Sequence, residues 1–138
     1  SWATALAWDD YKEFSHRYIK EIISKLNRKD IPIISFCKGS SVFAPLMADA
    51  KPDVISVDWN ADLLDVKKCL PKGIAVQGNL DPHILYADKS VIKKRIHQLF
   101  ERMRGENGFI FNLGHGIMPD IPFDHVKYAI DVVKEFRY

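Results

Sequence analysis

Apolar positions along the chain follow two periods in alternation. Over 10–27, Tyr11, Phe14, Tyr18, Ile22 and Leu26 recur at spacings of three and four. That spacing predicts an amphipathic helix, with Asp9 or Asp10 as its N-cap. At 31–37 the period disappears into an almost continuous, β-branched apolar run, the pattern of a short strand buried on both faces. Residues 41–50 read as a short helix, with Pro45 close enough to its start to be tolerated. A second strand is predicted at 54–59, then a helix at 61–70 capped by Asn60, then a third strand at 74–79. The Gly78-Asn79-Leu80-Asp81-Pro82 turn leads to a helix over 88–104, with Ile92, Ile96 and Leu99 on one face. A fourth strand follows at 109–114. Pro122 starts the last helix, which carries Val126, Ala129, Ile130 and Val133 inward.

The order is therefore one helix and then four strand–helix units. Apolar strands alternating with helices specify an α/β fold whose parallel sheet is covered by helices. Two architectures satisfy this order: a small doubly wound domain, or half of a (β/α)8 barrel, which in full needs about 250 residues. Both place ligand sites at the carboxyl ends of the strands. Those ends are the junctions 37–40, 58–60, 77–81 and 112–116, and all four are rich in polar residues and glycine.

Composition narrows the class. The chain has 138 residues, 47% of them hydrophobic, enough for one unit with a real core. A formal net charge of +2, with bases scattered beside acids, leaves no nucleic-acid footprint. The apolar runs are too short to cross a bilayer, and the acids at 9, 10 and 13 come too early for a signal peptide. Two cysteines, Cys37 and Cys69, make no disulfide framework, so a reduced, cytoplasmic protein is expected.

The sharpest chemical feature is Gly114-His115-Gly116. Glycines allow a tight turn and close approach to a ligand, and histidine exchanges hydrogen bonds near neutral pH. An exposed histidine on a strand-exit turn satisfies the same pattern. Asp58 suits a ligand or a helix cap equally. Gly78, Asn79 and Asp81 suit a ligand rim or a well-made turn. Cys37, His83, His97, His115 and His125 share no metal-ligand spacing, and Cys37 reads as a small core residue. Phosphate-cradling glycine loops and a serine nucleophile elbow have no match in the sequence.

Taken in order, the Ser-Trp-Ala opening and the segments 55–59, 76–82, 112–120 and 122–136 resemble the second half of the uroporphyrinogen decarboxylase family. These read Ile-Ser-Val-Asp-Trp, Val-Gln-Gly-Asn-Leu-Asp-Pro, Asn-Leu-Gly-His-Gly-Ile-Met-Pro-Asp and the Pro-Phe-Asp-His-Val helix. The resemblance implies the carboxy-terminal half of a (β/α)8 TIM barrel that acts as a homodimer. It implies cofactor-free and metal-free removal of the four acetate carboxyl groups of uroporphyrinogen III in haem synthesis. Loss of CO2 leaves an electron pair that a protonated pyrrole ring can accept, so the protein supplies positioning and electrostatics. By the same resemblance, His115 and Ser1 are substrate-binding residues, while Asp58, Gly78, Asn79 and Asp81 shape the rim. The family's arginine-rich stretch, essential aspartate and active-site tyrosine belong to the amino-terminal half, so no residue of this chain is assigned a catalytic role. Two other readings stay open. One is a non-catalytic tetrapyrrole-binding or interaction module. The other is a cobalamin-dependent methyltransferase relative, whose zinc ligands would correspond to Ser35-Phe36-Cys37 and His115.

Overall fold

The computed structural model describes residues 2–137, within which four strands form one sheet: β1 (Ile34–Phe36), β2 (Val54–Ser56), β3 (Ala75–Leu80) and β4 (Phe109–Leu113). All neighbours are parallel, in the order β1-β2-β3-β4. This order separates the two architectures. A doubly wound sheet reverses direction once and so carries helices on both faces. Here each strand lies beside its predecessor, the chain winds one way, and the helices collect on one face. The unit is a (β/α)8 barrel taken halfway round.

The helical layer consists of α3 (Ser40–Asp49), α4 (Leu63–Cys69), α5 (Lys89–Arg102) and α6 (Phe123–Glu135). One core cluster joins Phe43 and Met47 of α3 and Leu63 of α4 to Ile55, Val57 and Val76 on the sheet. A second joins Ile92, Ile96 and Phe100 of α5 and Val132 of α6 to Phe111 and Leu113. Pro45 is the sixth residue of α3, well past the first turn where its missing N–H would cost nothing, and the helix continues through it. The cap of α4 is Asp62 rather than Asn60: its carboxylate accepts from the amides of Leu64 (3.0 Å) and Asp65 (3.1 Å). Pro122 occupies the cap of α6, one residue before the helix, and the inward face uses Val132 in place of Ile130, which is exposed.

The leading helix differs most from its pattern. It comprises α1 (Trp8–Tyr11), a π-helical turn (Lys12–His16) and α2 (Arg17–Lys25). Ala7 is its N-cap; Asp9 and Asp10 lie inside the first turn, where their charge suits the helix N-terminus. A π turn aligns residues five apart instead of four. Accordingly Tyr11 and His16, five apart, are both buried, at 1% and 4% exposure. Tyr11 stacks on Phe43 of α3 at 4.2 Å, and His16 Nε2 meets the Asp49 carboxylate at 3.0 Å. The change of phase turns Phe14, Tyr18, Ile22 and Leu26 out of the interior, and all four are at least about half exposed.

The face of the sheet opposite the helices is open. Register aligns Phe36, Ser56, Gln77 and Ile110 in one row across it. Gln77 Nε2 donates to Ser56 Oγ at 3.1 Å within the row, while Phe36 and Ile110 remain exposed. The run at 31–37 is therefore not buried on both faces. Its ordered strand is three residues long, with Ile31 and Ile34 also exposed. In a closed barrel this row is an interior layer.

Candidate functional site

The carboxyl ends of all four strands converge on one patch of aromatic rings, imidazoles and a lysine. β1 ends in Phe36 and is followed by Lys38; β2 leads to Trp59; β3 leads to His83; β4 leads to His115. The Trp59 ring stands edge-on to both imidazoles, 5.7 Å from His83 and 6.3 Å from His115. Phe36 lies 6.1 Å from His115 on the other side. The Lys38 ammonium sits 3.5 Å from the centre of the Trp2 ring and 5.6 Å from that of Trp59. His115 is exposed and has no hydrogen-bond partner among the described residues.

Buried polar groups hold this patch in place. Asp58 is fully buried, and its carboxylate accepts from the Gly39 amide at 2.6 Å. Its own amide donates to Ser40 Oγ at 3.0 Å. Asp58 thus ties the β1 exit to the β2 exit through internal hydrogen bonds, and the cap of α4 is Asp62 instead. Asn79 does the same one strand on: its amide nitrogen donates to the carbonyls of Asp58 (2.9 Å) and Ala61 (2.7 Å). Asp81 caps the short 3₁₀ turn Pro82–Tyr86 through the His83 amide and also meets His83 Nδ1 at 2.8 Å. The loop carrying His115 is fastened at its far end, where Tyr86 Oη donates to Asp120 and His125 Nδ1 contacts the Leu85 carbonyl at 2.8 Å.

The two glycines around His115 have different jobs. A Cβ on Gly114 would lie 2.7 Å from the Trp59 nitrogen, so only glycine lets the β4 exit pass over the β2 exit. A Cβ on Gly116 would meet nothing. The sequence pattern is thus half a close approach and half an ordinary turn.

Cys37 lies on the other side of its strand. Its thiol packs against Tyr11 Oη (3.7 Å) and Met47 Sδ (3.6 Å), and burial pushes its pKa up. It therefore points into the helical layer, away from His115. The two do not share a coordination space, which removes the geometry that the zinc reading needs. Ser1 lies outside the described residues; Trp2 beside it joins β1 through a parallel bridge to Lys38.

Sequence reasoning singled out His115 but gave no role to Trp59, Lys38, Phe36 or His83. Lys38 and Trp59 fall inside the quoted junctions, and Phe36 and His83 border them. Their shared feature is distance from a strand end, which counts only when the strand register is known.

Comparisons with known proteins place this chain in a family. The profile of the uroporphyrinogen decarboxylase family (URO-D) matches residues 1–136. A uroporphyrinogen decarboxylase of Protochlamydia amoebophila is 44% identical over 99% of this chain and 37% of its own length. One of Aquifex aeolicus is 41% identical over 99% of this chain and 40% of its own length. The chain thus spans about two-fifths of the curated relatives it matches. Among solved structures, a methyltransferase from Methanosarcina mazei superposes with a TM-score of 0.74 over 95% of this chain and 38% of its own, at 20% identity, which is a likeness of fold. Matched along almost its whole length by the profile and by these relatives, the chain belongs to the uroporphyrinogen decarboxylase family.

Proposed function

We propose that the chain is the carboxy-terminal part of a single larger (β/α)8 barrel and forms one wall of the tetrapyrrole pocket of a uroporphyrinogen decarboxylase. The observation that carries this reading is the patch at the strand ends. Three aromatic rings, two imidazoles and an ammonium gather where a barrel binds its ligand, while the nearby carboxylates of Asp58 and Asp81 are already engaged. Such a surface is apolar in its centre and cationic at its edges. It suits a flat ring bearing acid arms.

In this reading His115 meets a pyrrole or carboxylate of the substrate, and Ser1 is a second substrate-binding residue. The wall binds and orients. The groups that protonate the ring and stabilise its cation come from the amino-terminal part, and the reaction is a cofactor-free decarboxylation of uroporphyrinogen to coproporphyrinogen. The complete protein is a cytoplasmic homodimer.

The test is reconstitution. This chain is mixed with the amino-terminal part of a full-length relative and supplied with uroporphyrinogen III. Turnover is expected from the mixture and not from either part. His115→Ala in the mixture should lower kcat/KM by about tenfold or more, the scale of one lost hydrogen bond to a charged group. A stable complex without turnover would defeat the decarboxylase reading, and unchanged kinetics in His115→Ala would remove His115 from the pocket.

A further inference from the structure

We propose that Lys38 is a carboxylate-binding residue of this pocket, a role that rests on the tetrapyrrole reading above. The backbone around Lys38 is pinned on both sides. Its carbonyl accepts from the Ala3 amide at 2.9 Å, and the next amide, of Gly39, is held by the buried Asp58 at 2.6 Å. The side chain is therefore launched from a fixed point at the barrel mouth and is half-buried there.

Its ammonium lies between two indole faces, close to Trp2 and farther from Trp59. Ring faces attract a cation but accept no conventional hydrogen bond, so its N–H donors still lack acceptors. Among the described residues no carboxylate pairs with Lys38, and no oxygen accepts from it. The two acids at the neighbouring strand ends are committed elsewhere, Asp58 to the Gly39 amide and Asp81 to His83. A held cation with no carboxylate paired to it among the described residues, beside a ring platform, is suited to receive an anion carried by a flat ligand. Trp59 is within reach of both Lys38 (5.6 Å) and His115 (6.3 Å), so a ring resting on Trp59 could offer one acid arm to the ammonium and another to the imidazole.

The experiment titrates uroporphyrin, a stable octa-acid, into the complex of this chain with the amino-terminal part of a full-length relative, and into the same complex carrying Lys38→Met or Lys38→Arg, reading the porphyrin absorption shift. Thermal unfolding is matched across the three. Lys38→Met keeps the apolar stem and should weaken binding about tenfold, the scale of one charge-assisted hydrogen bond. Lys38→Arg should stay within about threefold of the parent, because a guanidinium keeps the positive charge, still donates to a carboxylate and also lies over indole rings. The salt dependence of binding should flatten in Lys38→Met and persist in Lys38→Arg, which loss of packing alone would not produce. Equal affinity and equal salt dependence in all three would overturn the role of Lys38 and leave the pocket standing. Equal loss in both variants would make Lys38 a packing residue and overturn the role as well. No binding by the parent complex would overturn the pocket and Lys38 together.

Discussion

Gly114 and Gly116 flank the same histidine, yet the space around them differs completely. Adding a methyl group at Gly114 drives a carbon into the Trp59 backbone at 2.7 Å and its ring at 3.1 Å, with Asp58 close behind. Neither partner can yield without disturbing the buried Asp58 anchor. Gly114→Ala should therefore cost about 1–3 kcal/mol, the usual range for overpacking, and should shift the Trp59 fluorescence. Gly116→Ala should change stability by no more than about 0.5 kcal/mol, since its new methyl meets nothing. Urea unfolding of the two variants checks both. Equal stabilities would mean that the strand exits do not cross as tightly as described. The Gly-His-Gly triplet is legible in sequence because glycine marks places where side chains do not fit. Which of the two is indispensable is not legible, because the obstruction at Gly114 comes from Trp59, more than fifty residues earlier in the chain. The same holds for the Phe36, Trp59, His83 and Lys38 grouping, which parallel pairing assembles from junctions with no local pattern in common.

At the scale of elements, acids at helix ends and strand entries bind the layers together, and they make stability depend on pH. The Lys20 ammonium, aided by His16, holds the Asp49 carboxyl below the usual carboxylate range and ties α2 to α3. The Ile33 amide, with Arg28, does the same for Asp53 at the entry to β2. At Asp62 burial pulls the carboxyl up, but Arg102 and the amides of Asp65 and Leu64 outweigh it. Each group binds its proton less readily when folded. The stability it contributes is complete above the ordinary carboxyl pKa near 4 and is lost as pH falls through the lower folded values. The melting temperature should thus be level near neutrality and drop below about pH 4, with a shallower drop in Asp62→Asn. An acid limb of the same depth in Asp62→Asn would show that the cap contributes nothing to it. The apolar pattern marked the segments that hold the four strands and the α-helices packed on them, but not the short 3₁₀ turns Ala3–Ala5 and Pro82–Tyr86, which present too few apolar positions for a period. It misjudged inward faces where the neighbour is missing or the period changes. The π turn at Lys12–His16 brings Tyr11 and His16 inward by a five-residue step that a helical template does not contain.

At the scale of the whole molecule, a sheet wound one way and left open has two edge strands, β1 and β4, and an uncovered inner face; among the described residues only the Trp2 bridge at Lys38 reaches past the β1 end of the sheet. The leading helix carries the exposed stripe of Phe14, Tyr18, Ile22 and Leu26. Beside β4 lies an apolar groove lined by Leu80, Phe111, Leu113, Val126 and Val133. Contiguous apolar surface of this kind marks an interface. Relatives more than twice as long as this chain carry the additional sequence that can cover it. Taken alone, the chain should self-associate in sedimentation experiments. Adding the amino-terminal part of a relative should replace the self-associated species with a complex of one copy of each. The double substitution Phe14→Glu and Ile22→Glu should weaken both kinds of association while leaving the melting temperature nearly unchanged, because those side chains are already in water. A chain that stays a single, well-dispersed monomer at high concentration would show that these surfaces are stable in water. The barrel would then need no second half to hold its shape, and the stripe on the leading helix would need another explanation.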